Sequence, residues 1–152
     1  MAYADFRHRH ALRVRWAEVD MQGVVFNGHY LTYCDVCVTE YWRAIGVSYP
    51  QDFHARGEDS FVSKASVEYL ASARYDDDLE VCGRVASLGR TSLRFDVEIF
   101  PRGGADILIH AELVYVNVDL KSAPPRGKIS TAKRRLVRPS EATRPHTSSS
   151  SS

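Results

Sequence analysis

Nowhere in the 152-residue chain does an apolar run approach the roughly 20 residues needed to cross a bilayer. Met1 to Arg15 also lack the apolar segment of a secretory signal, so a soluble, cytoplasmic protein with no membrane partner is expected. Charge of one sign is missing as well: 20 Lys and Arg stand against 19 Asp and Glu, a formal net charge of +1. Such a balance gives no cationic field to hold a polyanion, and nucleic acid is not an expected partner. Cysteine is scarce, and an odd number (Cys34, Cys37 and Cys82) fits free thiols in a reducing compartment better than a disulfide framework. There is no internal repeat.

What remains is an ordinary globular composition, 44% hydrophobic and 26% charged, enough for one domain with a real core. In residues 9–16, Leu12, Val14 and Trp16 alternate with Ala11, Arg13 and Arg15, the period of a strand with one apolar face. From Gly28 to Ile45 the spacing lengthens: Leu31, Cys34, Val38, Tyr41 and Ile45 recur every three or four residues, which predicts one amphipathic helix. Asn27 suits its N-cap, and Gly46 can take the left-handed conformation that ends it. Residues 47–60, with Pro50 and Gly57, read as a loop.

The period then falls to two. Residues 61–70 and 79–86 are expected strands, Leu93, Phe95, Val97 and Ile99 mark another, and residues 106–120 form the last after a turn at Arg102-Gly103-Gly104. Strand, helix, then four strands is an α+β pattern in which one long central helix is wrapped by a curled antiparallel sheet of about five strands. Leu108, Val114, Val116 and Val118 put apolar residues on the sheet's other face, so burial there by another subunit is expected. Residues 1–138 read as the single domain. The basic stretch Lys133-Arg134-Arg135 and the serine run at Ser148–Ser152 mark a change of composition, with 139–152 expected as a disordered tail.

The segment between the first strand and the helix holds the best candidate for chemistry. Asp20 lies seven residues before Asn27, on a connection that delivers the chain to a helix start. A helix N-terminus presents unpaired N–H groups and a positive dipole end, which suit an oxyanion formed during attack on a carbonyl. Asn27 and Gly28 are the expected donors, through their backbone N–H groups. Asp20 would either attack directly or activate water. Gly23 and Gly28 allow close approach of the backbone to a ligand. The stripe Tyr30, Tyr33, Tyr41 and Trp42 is expected to be mainly core, with Phe26 and Tyr30 also candidates to line a pocket and His29 to contact substrate. No metal or cofactor is needed for these steps. Most loop aspartates are only solvated turn residues, so spacing alone does not decide the matter.

The residues around Asp20 add to it. Arg15-Trp16-Ala17-Glu18-Val19-Asp20-Met21-Gln22-Gly23-Val24-Val25-Phe26-Asn27-Gly28-His29-Tyr30-Leu31 closely resembles the first signature of the 4-hydroxybenzoyl-CoA thioesterase family, including its Tol-Pal-associated branch. Residues 67–81, with Ala73-Arg74-Tyr75-Asp76-Asp77, are similar to the second. The resemblance spans residues 9–119 and implies a hotdog fold, a homo-oligomer (dimer or tetramer), and hydrolysis of acyl-CoA thioesters at sites shared between subunits. It implies Asp20 as nucleophile or general base and the backbone N–H at Asn27 as the group polarising the thioester carbonyl. Coenzyme A would be part of the substrate, with no separate cofactor, and Arg90 of Gly89-Arg90-Thr91-Ser92 matches the place where its phosphates lie.

Other chemistries are less well served. Cys34-Asp35-Val36-Cys37 has C-x-x-C spacing, but it falls in mid-helix with no second pair to complete a metal site. Ser60, Ser63 and Ser66 lack the Gly-x-Ser-x-Gly turn of a serine hydrolase, and the Asp-x-Asn-Pro-x-His pattern of hotdog hydratases is absent. Two alternatives stay open: an acyl-carrier-protein thioesterase of fatty acid or polyketide synthesis, and a non-catalytic acyl-binding subunit.

Overall fold

The computed structural model describes residues 3–120. The tail expected over 139–152 and the basic stretch before it lie outside the described residues. Five strands, β1 (His8–Arg13), β2 (Glu58–Tyr69), β3 (Asp78–Leu88), β4 (Ser92–Pro101) and β5 (Ile109–Asp119), form one antiparallel sheet in the order β1-β3-β4-β5-β2. One long helix, α1 (Asn27–Ala44), packs on a single face of it, and a short helix, α2 (Gln51–His54), leads into β2. The expected helix wrapped by a curled five-stranded sheet is the architecture found.

Alternation builds the core. On β4, Leu93, Phe95, Val97 and Ile99 are buried under α1 beside Val81 and Val85 of β3 and Ile109, Ala111 and Leu113 of β5. From the helix come Tyr30, Tyr33, Cys34, Cys37, Val38, Tyr41 and Trp42. The aromatic stripe Tyr30, Tyr33, Tyr41 and Trp42 is core, as expected, but Leu31, expected on the same face, is 42% exposed. Leu31 instead lines a surface groove beside β2 with Val62, Ala65, Leu113 and Tyr115.

Four other boundaries differ from the sequence reading. The first strand ends at Arg13, because the chain bends at Val14, which exchanges backbone hydrogen bonds with Asp76 and Asp77. Trp16 then falls in a 3₁₀ turn, Trp16–Glu18, and is 76% exposed instead of facing the core. Phe26 is the N-cap residue of α1, and Asn27 is its first helical residue. The expected loop over 47–60 contains α2, and β2 begins at Glu58. Gly46 does take the left-handed conformation, φ +82°.

The outer sheet face is more polar than expected. Leu108 and Val118 are already buried within one chain, while the centre of that face carries buried Asp96 and Glu98, with His110 Nδ1 2.8 Å from Glu98 Oε2.

At Gly83 on β3 the sheet has no room for a side chain beneath α1. A Cβ there would stand 2.7 Å from the Phe95 ring and 2.8 Å from Cys37 Sγ. Gly83→Ala is therefore expected to destabilise the fold by about 1–3 kcal/mol through overpacking. It should lower the urea midpoint with little change in slope; an unchanged midpoint would contradict this packing.

Candidate active site

Asp20 belongs to a miniature hairpin between β1 and α1. Its N–H donates to Val24 O (2.9 Å), Gly23 N–H donates back to Asp20 O (2.9 Å), and Val19 bridges Val25. The turn needs a left-handed residue at Gly23, φ +77°, where a side chain would be strained. Asp20 Oδ1 accepts the Gln22 N–H at 2.8 Å, an Asx turn that orients the carboxylate. Asp20 is half-buried and lines an open cleft of about 660 Å³ with Trp16, Val19, Met21, Gly23 and Tyr75.

The hairpin runs directly into α1. Phe26 N–H donates to Glu18 O at 3.0 Å and Phe26 O receives the His29 N–H at 2.9 Å, closing the first turn. The N–H groups of Asn27 and Gly28 have no acceptor among the described residues. Two free donors and the positive end of an 18-residue helix thus stand next in the chain to the Asp20 hairpin. The Phe26 ring, 55% exposed, lies edge-on to His29 at 6.0 Å and against Gly28, whose missing Cβ would sit 3.2 Å from it.

Two features hold the hairpin. The first is the Ala73–Asp77 turn: Val25 N–H donates to Ala73 O (2.9 Å), Val24 bridges Arg74, and Ala73 N–H donates to the Tyr30 hydroxyl (2.9 Å). Asp77 Oδ2 receives the Arg74 N–H, Asp76 sits at φ +68°, and Arg13 pairs with Asp76 and Asp78. The second is Glu18, buried two residues before Asp20. Its Oε1 accepts the Tyr33 O–H and the Arg15 N–H, each at 2.8 Å, and its Oε2 accepts the Arg15 guanidinium. Burial alone would push the Glu18 carboxyl up, but the Arg15 and Tyr33 hydrogen bonds and the Arg15 charge outweigh it and hold the group below its ordinary value. Burial, then the Glu18 carboxylate, pushes the Tyr33 phenol up.

The candidate residues divide accordingly. Asp20 and Gly23 share the cleft; Asn27, Gly28, Phe26 and His29 form the adjacent helix tip. Tyr30 is 1% exposed, as its core reading expects, and its hydroxyl accepts the Ala73 N–H. Arg90 is exposed on the β3–β4 turn, whereas the Asp20 hairpin adjoins the opposite end of β3 at Asp78. The eleven residues of β3 put those ends about 33 Å apart along the strand, so a single chain does not bring Arg90 to Asp20. Cys34 and Cys37 are buried on the sheet-facing side of α1; burial pushes the Cys34 thiol up to about 12 and Cys37 well up, the opposite of a reactive thiolate pair. The sequence reading gave no site role to Glu18, to Tyr33, read only as core, or to the edge-on pair of Trp16 and Tyr75 at 5.4 Å on the cleft wall. No local spacing signals the first two, since Glu18 and Tyr33 lie fifteen residues apart.

Comparison with known proteins agrees with this geometry. Residues 22–116 match the family model of the thioesterase superfamily. The chain is 34% identical over 119 residues to the acyl-CoA thioester hydrolase YbgC of Escherichia coli O157:H7, covering 78% of this chain and 87% of that one. It is 29% identical over 119 residues to the chloroplastic acyl-acyl carrier protein thioesterase ATL3 of Arabidopsis thaliana, of which it spans 62% and which covers 78% of this chain. In fold it resembles the DHNA-CoA thioesterase of Staphylococcus aureus, with a TM-score of 0.73 at 24% identity over 82% of this chain and 80% of that one. The chain belongs to the thioesterase superfamily, with its hotdog fold. Thioester hydrolases are the enzyme class this membership defines.

The depressed Glu18 carboxyl has a measurable consequence. A group held below its ordinary value, here 4.5, contributes stability above that value and loses it as pH falls through the folded-state value. Glu18→Gln cannot titrate, so its deficit in unfolding free energy is expected to be full near neutrality and to shrink as pH falls below 4.5. Urea melts from pH 7 to pH 3 test this; a deficit constant across that range would contradict it.

Proposed function

We propose that the protein hydrolyses acyl-CoA thioesters to the free acid and coenzyme A, with Asp20 as the reacting carboxylate. The carrying observation is the adjacency of Asp20, on an open cleft, to a helix start whose Asn27 and Gly28 N–H groups lack acceptors. The name and 34% identity of the E. coli relative support an acyl-CoA as the thioester. Asp20 acts in one of two ways. As nucleophile it attacks the thioester carbon, releases the thiolate and leaves a mixed anhydride that water opens; as general base it takes a proton from the attacking water. Either way the carbonyl oxygen gains charge, and the N–H donors of Asn27 and Gly28 stabilise it.

Two copies complete this site. β2 is an edge strand twelve residues long, and beside it Leu31, Val62, Ala65, Leu113 and Tyr115 line an apolar groove of about 300 Å³. Antiparallel pairing of β2 with its counterpart would cover that groove and set the Tyr69 end of one chain against the Glu58 end of the other. The Gly89–Ser92 turn lies toward the Glu58 end, since Thr91 O accepts the Asn117 N–H and Asn117 pairs with Ser60. The partner's Arg90 thereby approaches the Asp20 end, where coenzyme A phosphates need a cation. Dimer and tetramer both satisfy this pairing. Three free cysteines suit a cytoplasmic setting.

A second reading, an acyl-carrier-protein thioesterase, is favoured by the likeness to the plant relative. Thiol release from short, long and aromatic acyl-CoAs, compared with release from acyl-carrier proteins, separates the two. Asp20→Asn is expected to lower kcat about 10²- to 10⁴-fold with the fold retained, because a loop carboxylate contributes little to the core. Wild-type turnover in that variant would remove Asp20 from the chemistry, and ligand-induced thermal shift without thiol release would make the protein an acyl-binding subunit.

A further inference from the structure

The hydrolytic steps proposed above make no use of Glu18, although it is a carboxylate only 5% exposed, two residues from Asp20. A charge in such a place is costly unless its hydrogen-bonding capacity is filled. Here it is filled from two directions. Tyr33, on the second turn of α1, and the Arg15 N–H share Oε1, while the guanidinium of Arg15 takes Oε2. The backbone of the same residue receives the N–H of Phe26, the N-cap of α1. One residue therefore ties the segment after β1 both to the body of the helix and to its tip. Only Val19 intervenes between this anchor and Asp20. Tyr33 is itself fixed, 1% exposed and edge-on to Tyr30, whose hydroxyl holds the Ala73 turn behind the hairpin. Apolar packing would fill the same space without the desolvation of a charge. What directional bonds add is a defined distance between loop and helix.

We propose that Glu18, held by Tyr33 and Arg15, is a positioning residue that sets the gap between Asp20 and the amide end of α1. This role rests on the reading of Asp20 given above. Buried away from the cleft, Glu18 and Tyr33 touch no substrate, so their loss acts on turnover and not on substrate affinity.

The test uses the full chain, benzoyl-CoA and hexanoyl-CoA as probes, and separate kcat and KM values at a temperature well below each variant's Tm. Tyr33→Phe keeps the ring and removes one donor; kcat is expected to fall about 10- to 100-fold with KM within about twofold. Arg15→Ala, at a side chain 71% exposed, should show the same split with a smaller fall in kcat. Glu18→Gln still accepts from Tyr33 and from the Arg15 N–H, so it is expected to keep more kcat than Glu18→Ala. Where Glu18→Ala does not fold, the Tyr33 and Arg15 variants decide. Wild-type kcat in folded Tyr33→Phe and Arg15→Ala, even at lowered Tm, would overturn the positioning role, as would a rise in KM at unchanged kcat. Asp20→Asn assayed in parallel separates the two failures. If it retains wild-type turnover, the hydrolytic reading falls; if it is inactive while the other variants turn over normally, only the role of Glu18 falls.

Discussion

A buried hydrogen bond between a loop carboxylate and a helix phenol, Glu18 to Tyr33 at 2.8 Å, fixes how the chain enters its central helix. The Asp20 hairpin is too short to hold its own position. It has one bridged pair and a glycine turn, and its outer residue Met21 is fully exposed. Its place relative to α1 is therefore imposed from outside, by Glu18 on one side and the Ala73–Asp77 turn on the other. Those two supports meet at adjacent aromatic residues of the helix, Tyr33 and Tyr30, which are edge-on at 5.9 Å. The first turns of α1 thus do two jobs. Their side chains anchor the loops, and their unpaired amides create the electropositive tip into which the Asp20 hairpin leads.

This division explains what was legible in the sequence. Period-two and helical patterns carry the burial of whole elements, and they located α1, the strands and the Gly46 terminus, because burial against a sheet repeats along an element. The aromatic stripe Tyr30, Tyr33, Tyr41 and Trp42 was legible as core for the same reason, whereas Leu31, assigned to the same face, is 42% exposed. Trp16 was also placed on the wrong side. Alternation continues through Arg15 and Trp16, but backbone bonds from Val14 to a turn sixty residues away bend the chain first.

Asp20, Gly23 and the helix-tip amides were legible because a glycine turn before a helix start is local. Glu18 was not, since its neighbours in sequence look like a solvated loop and its partner Tyr33 lies a further fifteen residues on. Arg90 shows the opposite case: the sequence marks it, and one chain leaves it about 33 Å of strand away from Asp20. Distance of that kind is what the second subunit proposed above, paired along the β2 edge, would close.

The most direct test of the account is a crystal structure of the protein with a coenzyme A ketone, in which a methylene replaces the thioester sulfur and hydrolysis is blocked. The expected result has the ketone oxygen about 3 Å from the backbone N of Asn27 or Gly28. Asp20 should then face the carbonyl carbon directly or across one water. A ketone bound away from the start of α1, with Asp20 turned to bulk solvent, would contradict it.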